Sequence, residues 1–129
     1  MSVEANKELI RRYLDDFRKD SGPATLDRYI AEDELKQHIA MYNSVLPGYY
    51  LDPEDIVAEG DKVMVRATVR GVHSGPFMNT PPTRKTVAFP LMIIYRLERG
   101  KIVQHWMLVD MLSFMQQIGA MPEPAAATA

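Results

Sequence analysis

The stretch RKTVAFPLMIIYRLERGKIVQHWMLVD, residues 84–110, predicts a long β-hairpin. Apolar and β-branched side chains dominate residues 84–97 and again residues 102–109, as they do in paired strands. The residues between these strands, Glu98-Arg99-Gly100-Lys101, have the composition of a tight turn in which glycine supplies a positive φ. Because long hairpins twist and curl, helices packed on the concave side of this one would enclose a pocket.

The sequence before the hairpin changes its period from helix to strand at about Asp55. Residues 62–70 then alternate, and the apolar side chains of that strand share one face. They are Val63, Val65, Ala67 and Val69, opposite a polar stripe of Arg66, Thr68 and Arg70. Residues 73–82 are rich in glycine and proline, which predicts a loop between the two strand regions.

Three helices are predicted before residue 50. Apolar side chains recur at three- and four-residue steps from Val3 to Phe17, with Ser2 as the N-cap. Pro23 opens a second, short helix, and a third is predicted over residues 34–46. Helices followed by antiparallel strands are typical of the α+β class rather than of βαβ winding.

The end of the chain predicts one more helix and a tail. Residues 111–118 have a helical pattern that ends at Gly119, a suitable C-cap. Residues 121–129 are rich in proline and alanine. We therefore expect a single domain over residues 1–120, followed by a tail over residues 121–129.

The composition excludes several classes of function. The chain has 15 Lys and Arg residues against 17 Asp and Glu, so it lacks the basic excess of a nucleic-acid-binding protein. It has no cysteine, which removes disulfides, thiolate nucleophiles and cysteine-based metal sites. The three histidines lack the spacing of metal ligands, no serine lies in a nucleophile elbow, and the glycines form no phosphate loop.

No segment has the layout of a signal peptide or the length of a membrane span. The longest apolar run, residues 89–95, is far shorter than the ~20 residues that a spanning helix needs. We therefore expect no membrane partner and take a cytoplasmic location as the default.

Asp110 is the acid/base candidate that these exclusions leave. It follows the predicted strand 102–109, and regular alternation places it on one face with Trp106 and Leu108. Apolar neighbours disfavour the charged form of a carboxylate, which suits a general acid or base near neutral pH. Asp110 also stands immediately before the predicted last helix, so a role as its N-cap is an equally good interpretation.

The histidines and methionines allow two interpretations each. His38 and Tyr42 lie four residues apart on one helix face, so both can point into a pocket or lie at the surface. His105 precedes Trp106, so a regular strand turns it away from Asp110, and only a bulge would bring it into the site. The methionines of the strand region either fill gaps in a curved core or line a site for a bulky apolar ligand.

A series of short motifs runs in order through residues 60–119. They are Gly60-Asp61-Lys62-Val63, Val65-Arg66, His73-Ser74-Gly75-Pro76-Phe77-Met78, Pro81-Pro82-Thr83, Arg99-Gly100-Lys101-Ile102-Val103, His105-Trp106, Asp110 and Gln117-Ile118-Gly119. This series resembles the SnoaL-like polyketide cyclases, a branch of the α+β fold shared with nuclear transport factor 2 and ketosteroid isomerase. The resemblance implies a cone-shaped, curved antiparallel sheet packed with the N-terminal helices around an apolar pocket.

The resemblance also implies a chemistry. Cyclases of this family close a ring by intramolecular aldol condensation without metal or cofactor, and their acid/base is an aspartate at the position matched by Asp110. Because one fold hosts many functions, an isomerase, a dehydratase, an epoxide hydrolase and a non-catalytic small-molecule-binding dimer remain alternatives.

Two features depart from the family pattern. The cyclases place a histidine and a glutamine on the strand before the aspartate, whereas residues 92–96 here are largely apolar. Residues 82–84 also lack the glycine that often precedes the basic residue. Few groups then remain to hold an enolate oxygen, and His38, Tyr42 or Tyr13 are the candidates to replace them.

The expected site therefore has Asp110 and His38 as catalytic residues, with no cofactor and no metal. Its expected ligand is a small apolar organic compound, and its expected protein partner is a second copy of the chain, bound through the outer face of the sheet. The expected substrate-binding residues are Tyr13, Phe17, Tyr42, Met92, Ile94, Trp106 and Leu108.

Overall fold

Helices precede strands in the computed structural model, which describes residues 2–122. The elements are α1 (Val3–Lys19), α2 (Pro23–Tyr29), α3 (Asp33–Val45), β1 (Tyr50–Glu59), β2 (Lys62–Val72), β3 (Thr86–Glu98), β4 (Lys101–Val109) and α4 (Met111–Gln117). Strand β1 begins before the change of period seen in the sequence, and the other elements lie close to their predicted bounds. Most of the predicted tail, residues 123–129, lies outside the described residues.

The helix ends form as their capping residues dictate. The hydroxyl of Ser2 accepts a hydrogen bond from the backbone N–H of Ala5 at 3.0 Å, which confirms Ser2 as the N-cap of α1. Pro23 occupies the first turn of α2, where its missing N–H costs nothing. The buried face of α1 is formed by Asn6, Leu9, Ile10, Tyr13, Leu14 and Phe17. None of the helices within residues 2–122 is both long enough and apolar enough to span a bilayer.

The strands form one antiparallel sheet in the order β1-β2-β3-β4. This sheet is curved and unclosed, and it belongs with the four helices to the α+β class, as expected. The predicted hairpin joins β3 to β4 through Arg99 and Gly100, whose φ values of 52° and 75° are those of a type I′ turn. The apolar side of β2, from Val63 to Val69, is buried on the concave side as its alternation predicted.

A bulge interrupts β4 just after this turn. Leu97 of β3 pairs with Ile102, whereas the preceding residue, Arg96, pairs with Gln104, so Val103 is the extra residue. Because side chains alternate along a strand, one extra residue moves every later side chain of that strand to the opposite face of the sheet.

This change of face determines which side chains of β4 point towards the helices. Ile102, before the bulge, is buried in the core. Beyond the bulge, Met107 and Val109 pack against the core, while Trp106 and Leu108 are exposed on the outer face. The sheet therefore presents different chemistry to the interior from what an unbroken alternation predicts.

The loop between α2 and α3 is fixed to the start of β4. Ile30 forms a parallel bridge with Ile102, and the backbone N–H of Ala31 donates to the carbonyl oxygen of Ile102 at 2.8 Å. This contact holds Glu32, the residue immediately before α3, beside the bulged part of the strand.

Candidate active site

A small apolar cavity lies between the concave side of the sheet and helices α1 and α3. Its free volume is about 30 Å³, which is room for one or two water molecules. Most of its wall is aliphatic or phenylalanine side chain from the four strands and from helices α1 and α3. The polar groups in the wall belong to Tyr13, His38, Tyr42, Tyr49 and Tyr95.

The cavity tyrosines are held by edge-to-face contacts between aromatic rings. The ring of Tyr13 lies 5.8 Å from that of Tyr95, and the ring of Tyr49 lies 5.7 Å from that of Tyr42. The ring of Phe17 contacts one tyrosine of each pair, with its centre 5.8 Å from that of Tyr13 and 5.4 Å from that of Tyr49. Such pairs prefer one mutual orientation, so the rings and the hydroxyls they carry are fixed by packing.

Burial keeps these hydroxyls protonated. Desolvation raises the pKa of Tyr13, Tyr49 and Tyr95 well above that of free tyrosine, and the neighbouring tyrosines raise it further. Desolvation also raises the pKa of Tyr42. At neutral pH the cavity wall therefore carries hydroxyls that can donate hydrogen bonds to a negatively charged oxygen.

Two histidines and a glutamate form a chain of hydrogen bonds at one side of the cavity. Nδ1 of His105 lies 2.5 Å from Oε1 of Glu32, and Nε2 of His105 lies 3.3 Å from Nδ1 of His38. The side chain of His105 is 4% exposed and that of Glu32 16%, so the inner part of the chain is dry. His38 lines the cavity and its side chain is 37% exposed, which puts its ring at the cavity rim.

An open apolar groove adjoins the cavity. Its free volume is about 510 Å³, within the range of small-molecule sites. Tyr42 and Phe89 belong to the walls of both spaces. The rest of the groove is formed by Met41, Ser44, Val45, Leu46, Pro76, Phe77, Met78, Met111 and Phe114.

Asp110 caps α4 and does not belong to the cavity wall. Its Oδ1 accepts a hydrogen bond from the backbone N–H of Ser113 at 3.0 Å, and the residue is exposed. Of the two interpretations open in the sequence, the N-cap is the one that the geometry matches. Asp110 does not belong to the groove wall either, although the next residue, Met111, does.

The expected site residues divide between the two faces of the sheet. Tyr13, Phe17, His38 and Tyr42 all belong to the cavity wall. The expectation that the other four contribute to its wall was wrong, because they point outward. They are Met92 and Trp106, each 43% exposed, Leu108, 80% exposed, and Ile94, which pairs with Trp106 across the strands.

The bulge explains two of these four residues, whereas Met92 and Ile94 face outward because β3 alternates regularly and buries Leu91 and Ile93. Regular alternation from Ile102 predicts Trp106 and Leu108 on the inner face, and the extra residue Val103 sends them outward. The same bulge turns the side chain of His105 inward. The sequence predicts this orientation of His105 only if β4 contains a bulge.

Several cavity residues were missed. Tyr95 could have been predicted, because it follows Phe89, Leu91 and Ile93 at two-residue steps along β3 and therefore shares their face. Tyr49 lies in the turn after α3, and Glu32 lies in a loop, where no periodic pattern indicates which way a side chain points.

His73 is buried away from the cavity. Its Nδ1 lies 3.2 Å from the backbone N of Thr83, which donates to it, and 2.9 Å from the Thr83 hydroxyl oxygen. Its Nε2 is buried and has no hydrogen-bond partner among residues 2–122. The ring packs edge-to-face on Phe114, 6.2 Å away, and holds the loop after β2 against α4.

Comparison with known families shows which family has this fold. The family model described as SnoaL-like polyketide cyclase matches residues 4–118, which is nearly all of the described chain. No protein of curated function matches the chain in sequence.

Solved structures of similar fold include several that are described as candidate polyketide cyclases of bacteria. AclR from Streptomyces galilaeus, a candidate hydroxylase, has a TM-score of 0.83 at 22% identity, with 97% of this chain and 87% of that chain covered. TsrD from Streptomyces laurentii has a TM-score of 0.79 at 24% identity, covering 94% and 99%. IdmH from Streptomyces antibioticus, a candidate polyketide cyclase, has a TM-score of 0.76 at 23% identity, covering 88% and 98%. At these identities the likeness establishes the fold.

Proposed function

Because the chain belongs to the SnoaL-like polyketide cyclase family, we propose that it is a cofactor-independent acid/base enzyme acting on a small apolar carbonyl compound. The proposed reaction is an intramolecular, aldol-type ring closure. The observation that carries the proposal is the meeting, at one apolar cavity, of a titratable imidazole, His38, with hydroxyls that burial keeps protonated.

His38 has the role of general base in this proposal. An unprotonated ring nitrogen of His38 removes a proton from a carbon next to a carbonyl, and the C–H electron pair moves into the carbonyl to give an enolate. The protonated hydroxyls of Tyr13, Tyr49 and Tyr95 are the donors suited to the enolate oxygen.

Ring closure then needs no further reactant. The enolate carbon forms a bond to a second carbonyl carbon of the same molecule, and the π electrons of that carbonyl become an alkoxide lone pair. The alkoxide takes the proton from the His38 imidazolium, which restores the neutral base. Every atom of the substrate is kept in the product.

The groove is the proposed binding site for the body of the substrate. The cavity alone, at about 30 Å³, is too small for a ring-forming carbonyl compound, whereas the groove offers about 510 Å³ of mainly apolar space. Since Tyr42 and Phe89 separate the two, we expect these side chains to move when a substrate carbonyl enters the cavity.

His38 is preferred to Asp110 as the base on geometric grounds. A base must come within hydrogen-bond reach of the proton it removes. His38 borders the cavity, while the Asp110 carboxylate is exposed and accepts a hydrogen bond from the N–H of Ser113 in α4. Asp110 remains the family's acid/base position, so the experiment compares the two residues directly.

The test is proton exchange at the α-carbon of 2-tetralone, a small apolar ketone, followed by proton NMR in D₂O. We expect the wild-type protein to accelerate the exchange by at least about 100-fold over buffer. His38→Gln should abolish this acceleration, and Asp110→Asn, which keeps the cap, should retain it.

Two outcomes would overturn the proposal. Exchange no faster with wild-type protein than in buffer would remove the case for carbonyl acid/base chemistry. Loss of exchange in Asp110→Asn together with retention in His38→Gln would assign the base to Asp110 instead of His38. The folded state of each variant is checked by circular dichroism, so that a lost fold is not read as a lost base.

A second copy of the chain is the partner that we propose for the outer face of the sheet. An apolar row crosses all four strands there, because Val57 pairs with Met64, Met64 with Ile94, and Ile94 with Trp106. Met92 and Leu108 form a further apolar pair beside this row. A continuous apolar surface on an open sheet suits an isologous contact, in which the same patch is used twice.

A further inference from the structure

We propose that Glu32 and His105 are positioning residues that hold the His38 ring in the tautomer of a base. The proposal rests on the proposed role of His38 and deepens it. It is carried by the order of atoms in the hydrogen-bond chain: Glu32 Oε1, His105 Nδ1, His105 Nε2 and His38 Nδ1.

A carboxylate fixes the direction of every bond in this chain. Ionised Glu32 can only accept, so the Nδ1 of His105 that faces it at 2.5 Å carries a hydrogen. In a neutral imidazole the other nitrogen is then an acceptor, so His105 Nε2 accepts from His38 at 3.3 Å. His38 Nδ1 must donate that bond, which leaves the lone pair of His38 on Nε2.

The lone pair is therefore on the nitrogen that is free to take a proton. His38 Nε2 lies 4.0 Å from Oε1 of Glu34, beyond hydrogen-bond distance, and the Glu34 side chain is 68% exposed. When Nε2 takes up a proton, the positive charge lies at one end of a chain whose other end is the Glu32 carboxylate. A buried acceptor of this kind orients an imidazole and stabilises its cation.

Three features of the fold build the chain. The β4 bulge at Val103 turns His105 inward, and the Ile30–Ile102 bridge brings Glu32 to the same place. Glu32 is the residue before α3, yet within residues 2–122 its side chain makes no capping bond to that helix. Its carboxylate is used on His105 instead, which is an unusual use of a helix N-cap position.

A metal site is a different explanation for two histidines beside acidic residues. It does not fit here, because a protein zinc site has at least three protein ligands, and only two ring nitrogens, Nε2 of His105 and Nδ1 of His38, face each other here. No group of three or more His, Cys, Asp or Glu side chains within residues 2–122 converges in the way that metal ligands do.

The test is the tautomer of each histidine, read from two-bond ¹H–¹⁵N NMR of the full chain at about pH 9, where an ordinary imidazole is neutral. The chain has three histidines, and the geometry assigns all of them. His38 and His105 should carry the hydrogen on Nδ1. His73, whose Nδ1 accepts from the Thr83 N–H, should carry it on Nε2 and serves as an internal control.

Variants distinguish an effect transmitted through the hydrogen-bond chain Glu32–His105–His38, here called the relay, from an effect of local packing. Glu32→Gln removes the charge that sets the direction of the chain, and we expect the His38 signals to change to a mixture of tautomers although His105 lies between the two residues. The matched control is Glu34→Gln, which removes an exposed carboxylate nearer to His38 but outside the chain, and should leave the tautomer unchanged. His73 should be unaffected by both.

The exchange assay gives a second readout. Glu32→Gln should slow the proton exchange of 2-tetralone by at least about tenfold through the rate constant, with little change in the ketone concentration that half-saturates it. An equal effect on both quantities would indicate a purely structural role and would contradict the proposal.

The results of the two proposals are distinguishable. If wild-type His38 and His105 carry the hydrogen on Nε2, the relay is overturned even if the exchange is fast. If the tautomers are as assigned but wild-type protein exchanges no protons, the relay stands as a structural device and the proposed function fails.

Discussion

The side chain of Asp110 joins the sheet to the last helix. Its Oδ1 accepts from the N–H of Ser113 at 3.0 Å, and its own backbone N–H donates to the carbonyl oxygen of Pro90 at 3.0 Å. The second bond fixes the end of β4 to β3, and the first satisfies a free N–H of α4. A cap of this kind contributes about 1 kcal/mol to the free energy of unfolding.

Asp110→Ala should therefore lower the free energy of unfolding by about 1 kcal/mol, because the first turn of α4 loses its acceptor. Asp110→Asn should change it by much less, since an asparagine oxygen caps as well. Urea denaturation of the three proteins measures the difference. Equal losses in the two variants would show that the charge of Asp110, and not its cap, is what stabilises the helix.

The buried tyrosines make stability depend on pH in the alkaline range. Their pKa is raised by burial, so the folded protein keeps protons that the unfolded chain loses above about pH 10. Their contribution is fully present below that pH and is lost as the pH rises further. We expect the free energy of unfolding to fall by about 1.4 kcal/mol per pH unit for each such tyrosine.

Tyr13→Phe measures the share of one tyrosine. Denaturation at about pH 9, 10 and 11 should give a shallower decline in this variant than in wild-type protein, by about one tyrosine's slope. Parallel declines in the two proteins would mean that Tyr13 ionises as easily in the folded state as in the unfolded chain.

At the scale of the element, the local periodicities were sufficient to predict the helices, the strands β2, β3 and β4 and the main hairpin, whereas β1 was not predicted as a separate strand. The alternation of β2 also indicated correctly which of its sides is buried. The bulge in β4 was beyond prediction, because Val103 is a typical strand residue and nothing local marks it as unpaired. Two of the seven expected binding residues, Trp106 and Leu108, were misplaced by this one position, and it also hid the Glu32–His105 contact.

Gly75 fixes the loop after β2 against the end of α3. Its N–H and that of Ser74 both donate to the carbonyl oxygen of Val45, at 3.0 and 3.1 Å. A Cβ at position 75 would lie 1.7 Å from the carbonyl oxygen of Ser44, which is backbone and cannot move aside alone. The close approach of two backbone segments, rather than a positive φ, is what requires glycine here.

Gly75→Ala should therefore cost about 3 kcal/mol of stability or more, because the loop must move away from α3. The control is Gly48→Ala, where φ is +75° and nothing lies within 4 Å of the new Cβ. Strain alone should cost that variant about 1 kcal/mol. Similar thermal midpoints for the two variants would contradict the steric explanation.

At the scale of the molecule, one sheet has two apolar faces that differ in how they are covered. The concave face is covered by this chain's own helices, and it forms the cavity. The outer face keeps several apolar side chains exposed, among them Leu108 at 80%, Val57 at 50% and Trp106 at 43%. Sequence pattern alone did not distinguish the two faces of β4, since each carries enough apolar residues to pass for the core.

Leu108→Lys tests whether the outer face binds a second copy. We expect wild-type protein at about 100 µM to sediment as a dimer and the variant to sediment as a monomer, since an interface would bury the new charge. Met78→Lys is a matched control, because Met78 is 83% exposed but lies in a loop outside the sheet. A monomeric wild-type protein, or a dimeric Leu108→Lys variant, would overturn the proposed interface.

The outward position of Trp106 has a practical consequence for spectroscopy. It is the only tryptophan in the chain, and it is 43% exposed on the face opposite the cavity. Its fluorescence therefore reports directly on what covers the outer face and only indirectly on what fills the interior. A ligand in the cavity would not contact Trp106, so direct tryptophan quenching is a poor readout of its binding, whereas the tyrosines around the cavity would contact it.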